Sequence, residues 1–188
     1  MALLDRDESA WIRAAQAGSV SDLEALFRLH WPRAYRAAYL IVHDHGAAED
    51  IAQDAFLAAV RALERFDRDR PFGPWLHRIV VNRAIDFSRA RTARREVAGE
   101  SYLDVTAPLG WPVADGNPHP LLDPDARAIA VGLASLTPEH RAVIVLRYLL
   151  EYTPGEIADL RDLPRGTVNS RLRRGLDRLE AILDKEPR

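Results

Sequence analysis

The sequence predicts an all-α protein of two small helical units joined by a flexible linker. Apolar residues recur at helical spacing, with helix caps, through most of the chain, and no alternating strand pattern interrupts them. Between Glu96 and Leu122 that pattern stops. This stretch holds four prolines, three glycines and four carboxylates, with no lysine or arginine, and offers neither a helical stripe nor a core of its own. The division is therefore 1–95, a linker at 96–122, and 123–188.

In the first unit, Asp7 or a neighbour is placed to start a helix ending near Gly18. Ser21 with Glu24 reads as the capping box of a second helix reaching about Val42. The turn at 43–46 separates it from a third. There Ala52, Phe56, Val60 and Leu63 share one face and are assigned to the core. Asp50, Asp54, Leu57, Arg61 and Glu64 form the outward stripe. The loop Asp67–Gly73 leads to a fourth helix, with Pro74 in its first turn and Leu76, Val80, Ala84 and Phe87 facing inward.

The second unit carries the more telling pattern. Thr153 and Glu156 form a capping box with Pro154 at the first helical position. Pro164 cannot continue that helix but can open another, so 162–164 is a tight turn between two helices, the helix-turn-helix plan. The second of these helices would place Val168, Leu172, Leu176 and Leu179 inward. Arg165, Thr167, Asn169, Ser170, Arg173 and Arg174 would supply donors to base edges and phosphates in a major groove.

Bulk composition narrows the function. At 188 residues, 47% hydrophobic and 29% charged, the chain has room for one or two modest cores. A net charge of −2 argues against indiscriminate binding to nucleic acid, so a basic function must come from local clustering. Five arginines lie between Arg165 and Arg178, and nine lie between Arg65 and Arg95 against three aspartates. On the fourth helix Arg78, Asn82, Asp86 and Arg89 share a face one turn beyond Trp75. An aromatic within a basic face suits a single-stranded base, which needs a surface to stack on and a neutralised phosphate. Leu57, with Gln53 beside it, is an apolar residue on a charged stripe and reads as a protein-docking contact.

Other chemistries find little support. Cysteine is absent, which excludes disulfides and thiolate chemistry. His43 and His45 bracket Asp44 in a turn without a third ligand at a diagnostic spacing, so no metal or other cofactor is expected. No phosphate loop or nucleophile motif occurs, and an enzyme is not expected. The N-terminus has no signal-peptide pattern, and no window reaches the roughly 18 apolar residues of a membrane span. A cytoplasmic protein without membrane insertion is expected. No further domain is expected after Arg188, so regulation is expected from a separate protein or from expression.

Together these residues resemble the bacterial extracytoplasmic-function sigma factors, the smallest class of the sigma-70 family. The resemblance rests on "AEDIAQDAFLAAVRALERF" and "FGPWLHRIVVNRAID" in the first unit, and on "LTPEHRAVIVLRYLLEYTPGEIADL" and "LPRGTVNSRLRRGLDRL" in the second. It implies a non-catalytic transcription-initiation factor that gives core RNA polymerase its promoter preference and favours melting. Region 2 would read the −10 element and region 4 the −35 element. Asp50, Gln53, Asp54 and Leu57 would face the β′ clamp helices, and region 4 would also meet the β flap. Phe72, Trp75, Arg78, Asn82 and Arg83 would hold the non-template strand. Arg165, Thr167, Asn169, Ser170, Arg173 and Arg174 would lie on the −35 duplex. Family habit also implies an anti-sigma partner. The linker would run through the polymerase, where Glu96, Glu100, Asp104 and Asp115 would imitate nucleic acid. The chain departs from the family at Asp162, where glycine is frequent, at Asn169, where a basic residue is common, and at Arg165, where an aliphatic one is. The rival reading is a helix-turn-helix regulator whose first unit senses a ligand or dimerises. Leu57 and Trp75 discriminate, since a duplex-only regulator needs neither.

Overall fold

The computed structural model describes residues 2–98 and 124–184. Among them no strand occurs and eight α-helices carry the fold. The first unit comprises α1 (Ala2–Gln16), α2 (Val20–Val42), α3 (His45–Ala62) and α4 (Phe72–Ala98), with a short 3-10 turn at Leu63–Arg65. The second comprises α5 (Pro124–Ala134), α6 (Pro138–Ile144), α7 (Pro154–Arg161) and α8 (Arg165–Leu183). The expected linker lies outside the described residues except at its start, where α4 continues to Ala98.

Local chemistry explains most helix ends. Ser19, not Ser21, caps α2: Gly18 has φ +95° and reverses the chain there, so the Ser19 hydroxyl meets the Asp22 N–H. Ser21 and Glu24 fall inside the helix instead. Helix α1 likewise begins at Ala2, earlier than the expected Asp7. Asp44 caps α3 by accepting from the Ala47 N–H at 3.0 Å. Thr137 caps α6, and Thr153 with Glu156 closes the capping box of α7 in both directions. Helix α6 runs on into a π turn at Val145–Leu149, after which Glu151 turns the chain at φ 63°. His43 and Asp162 end α2 and α7 in the same left-handed region.

The core of the first unit lies between α2, α3 and α4. Ala34, Ala38, Ile41, Ala52, Ala55, Leu76, Val80 and Ala84 are buried there, and Phe87 is half-buried at the edge. Small residues on α2 and α3 let the backbones approach. The inward stripe of α3 is centred on Ala52, Ala55 and Ala59, so Val60 sits at its margin and is 39% exposed rather than core. A similar correction applies to α8. Gly175 faces α6 so closely that a Cβ there would lie 2.7 Å from Ile144 Cδ1, and this contact turns Leu176 outward while Val168 and Leu172 stay buried.

The two units pack against each other, with α6 on α2 and α4, and α7 on α4. Arg141 anchors the junction. Buried on α6, its guanidinium donates to the carbonyl oxygens of Leu133, Ala134 and Leu136 at 2.8 to 3.0 Å, and also to that of Ile41 on α2. These carbonyls lie at or just beyond the C-terminal ends of α5 and α2, where a cation is favoured. Burial, then Arg91, lowers the Arg141 pKa to about 10, which leaves it charged at neutral pH.

Candidate nucleic-acid interface

The helix-turn-helix is built by the residues that suggested it. Asp162 ends α7 at φ 49°, ψ 49°, supplying the left-handed turn without glycine. Pro164 then stands at the N-cap of α8, its carbonyl accepting from the Thr167 N–H at 2.8 Å. With Val168 and Leu172 buried, Arg165, Asn169, Arg173 and Arg174 are exposed, and Thr167 and Ser170 are half-buried beside them. The Ser170 hydroxyl donates to its own helix at Thr167, leaving lone pairs to accept from outside. Among the described residues, none of Arg165, Arg173 and Arg174 forms an ion pair. Their charge is uncommitted, as a surface that meets phosphate requires.

The fourth-helix site divides. Arg78, Asn82, Asp86 and Arg89 share one face of α4, with only Asn82 partly buried. Arg83 belongs elsewhere: it is one position round the helix and pairs with Asp54 of α3 at 3.3 Å. Phe72 is 2% exposed, packed among His30, Phe66 and Trp75 at 5.1 to 5.7 Å between ring centroids, so it supports Trp75 from below and offers no face of its own. Trp75 is half-buried and leans on Phe66 at 4.6 Å.

Region 67–71 is exposed, and its fastening comes from α1, which sequence reasoning did not single out. The Gln16 amide donates to the carbonyls of Leu63 and Phe66 at 2.8 and 3.1 Å, and its oxygen accepts from Arg68. A lone glutamine near a helix end carries no signal of this.

On α3, Asp50, Gln53, Asp54 and Leu57 are exposed in one stripe, Leu57 by 53%. Val60 extends the apolar part by one turn, and with Phe27 of α2 lines a small cleft over Phe56 and Leu23. The histidines of the 43–46 turn diverge. His43 is half-buried, and desolvation and then Arg141 and Arg91 lower its pKa to about 3. His45 is hydrogen-bonded to the Tyr35 hydroxyl at 2.8 Å and stacks on Tyr39. No group of three or more potential ligands to a metal occurs among the described residues.

Residues 26–94 match Sigma-70 region 2, and residues 132–181 match Sigma-70, region 4. A curated relative, the ECF RNA polymerase sigma factor SigW of Bacillus subtilis, is 31% identical over 183 residues, covering 92% of this chain and 94% of that protein. The chain belongs to the extracytoplasmic-function sigma factors. This sigma factor also superposes on the solved structure of CnrH in complex with the cytosolic domain of CnrY, with a TM-score of 0.68 at 27% identity, over 96% of this chain and 99% of CnrH. RpoE from Bartonella quintana, solved with the anti-sigma factor NepR, shares the fold with a TM-score of 0.70 at 21% identity, over 89% and 100% of the two chains. The matched regions give the two helical units their identity. Region 2 of this sigma factor takes in most of α2, then α3 and most of α4, and region 4 runs from the end of α5 to nearly the end of α8. No helix among the described residues is long and apolar enough to cross a membrane.

Proposed function

We propose that this sigma factor is a dissociable, non-catalytic specificity subunit that brings core RNA polymerase to a promoter and favours its melting in the cytoplasm. Residues 1–95 act as the polymerase- and −10-binding unit and 123–188 as the −35-binding unit, with 96–122 between them. The observation that carries this reading is α8, which follows a left-handed turn and presents arginines that have no ion-pair partner among the described residues. Arg165, Thr167, Asn169, Ser170, Arg173 and Arg174 meet the −35 duplex, by phosphate for position and by base edge for choice. Arg78, Asn82 and Trp75 hold the displaced strand, with Phe72 bracing Trp75. Asp50, Gln53, Asp54 and Leu57 dock on the β′ clamp helices. The pairing of Arg83 with Asp54 supports a positioning role for Arg83 at that docking stripe. The relatives solved with CnrY and with an anti-sigma factor support an anti-sigma partner here.

Run-off transcription with purified core polymerase on a genomic fragment library, with and without the protein, tests this. Specific transcripts should appear only with the protein. A folded, inhibitor-free chain that fails to associate with core enzyme at low ionic strength would overturn the reading.

A further inference from the structure

We propose that Gln16 is a positioning residue for the displaced strand: its amide aims the Arg68 guanidinium at a strand phosphate beside Trp75 without cancelling the arginine's charge. This rests on the assignment of Trp75 and its neighbours on α4 to that strand.

Gln16 is the last residue of α1 and lies outside the residues that match region 2. Helix α1 is seated by buried Ile12, with Trp11 and Ala15 packed against the core, so Gln16 projects from a fixed support. Its Nε2 donates to the carbonyl oxygens of Leu63 and Phe66 at 2.8 and 3.1 Å, at the 3-10 turn before the loop. Both amide protons are then engaged, and only the amide oxygen is left, for a donor. Arg68 Nε is that donor. Partners 47 to 52 positions away thus settle which way the amide faces.

Of the two arginines in 67–71, Arg68 is the one left to meet an anion. The Asp67 carboxylate accepts from the Asp69 N–H at 3.1 Å and pairs with Arg70 at 3.5 Å, so Arg70 is already compensated. Arg68 is exposed and forms no ion pair among the described residues. A carboxylate in place of the amide would hold the guanidinium and neutralise it. The neutral amide holds it and leaves its charge, with the remaining N–H groups of the fork, for phosphate oxygens. The same amide grips the backbone of Phe66, the ring on which Trp75 leans at 4.6 Å. Cation and stacking surface, the two things a single-stranded nucleotide needs, are therefore referenced to one side chain.

The probe is a labelled mixed-sequence single strand of about 12 nucleotides, titrated at several salt concentrations against the protein bound to core polymerase, with core enzyme alone as background. Arg68→Ala should weaken binding by about threefold to tenfold and make the salt slope shallower by about 0.7, the value of one phosphate on a single strand. Gln16→Glu should reproduce both effects, because its carboxylate cancels the charge it holds. Gln16→Ala should weaken binding by about twofold to threefold at an unchanged slope, since the freed arginine must be ordered on binding. Once Arg68 is alanine, Gln16→Ala should add nothing.

A glutamine that served the fold alone would weaken binding equally with and without Arg68 and leave the slope of Gln16→Glu unmoved. That result would overturn the proposal. So would unchanged binding in Arg68→Ala, a substitution on an exposed loop that needs no repacking. Binding by the unaltered complex no stronger than that of core enzyme alone would overturn the strand assignment, and the proposal with it.

Discussion

Arg141 of α6 donates a hydrogen bond to the carbonyl oxygen of Ile41 near the end of α2, one hundred positions earlier in the chain. The same guanidinium satisfies three carbonyls around the end of α5. It is a buried cation held by helix ends rather than by a carboxylate. Arg141→Met should cost about 2–4 kcal/mol, because four carbonyls lose their donor in an apolar setting. Arg141→Lys should recover little, since one ammonium cannot spread across the fork's span. Urea unfolding reads both, and an unchanged midpoint would refute the assignment.

Acid should weaken the fold. Burial lowers His43 and His77 to about 3, helped by Arg141 and Arg91 at His43 and by His30 and Arg33 at His77. In the unfolded chain both titrate near 6.5. Below that pH the unfolded state takes up protons that the folded state refuses, so their stabilisation is complete above about pH 6.5 and is lost progressively towards pH 3. Between pH 7 and 5.5 the loss should be on the order of 1 kcal/mol per histidine. Denaturation midpoints at the two values measure it.

Glu151→Gly should stabilise the protein. Glu151 holds φ 63° at an exposed turn, a conformation that costs a residue with a Cβ about 1–2 kcal/mol. Set against the greater unfolded-state entropy of glycine, the gain should be roughly 0.5–1 kcal/mol. A rise in Tm of about 1–4 °C would register it.

Leu57→Asp should weaken association with core polymerase by about tenfold or more, as truncating an apolar anchor in a docking stripe does. Stability should move by less than about 0.5 kcal/mol, because the side chain is half exposed. Native gel shift with core enzyme distinguishes the two effects.

Arg173→Ala should weaken binding to a matched −35 duplex by about 1–3 kcal/mol and to a scrambled one by less. Equal weakening on both would assign Arg173 to phosphate instead. The salt dependence of binding provides a second measure, because it becomes shallower when an arginine that neutralises a phosphate is removed.

What the sequence made legible was what neighbouring residues decide. The Thr153–Glu156 box, the Pro164 break and the Val168–Leu172 stripe involve partners within one or two turns, and all three stand. Ser19 was missed in favour of Ser21 because the two share their chemistry and only the reversal at Gly18 separates them. Helical periodicity placed Val60 and Leu176 inward, whereas alanines on α3 and a glycine on α8 rotate each helix slightly about its axis. Phe72 and Trp75 looked alike as candidates for stacking, and packing alone determines which ring is covered. Arg141 was invisible, since its role depends on carbonyls brought together from distant helix ends.

The unpaired arginines of α8 have a thermodynamic consequence. Among the described residues Arg165, Arg173 and Arg174 hold no carboxylate that a duplex would first have to displace, so the free energy of such a contact would come chiefly from small ions shed by the nucleic acid.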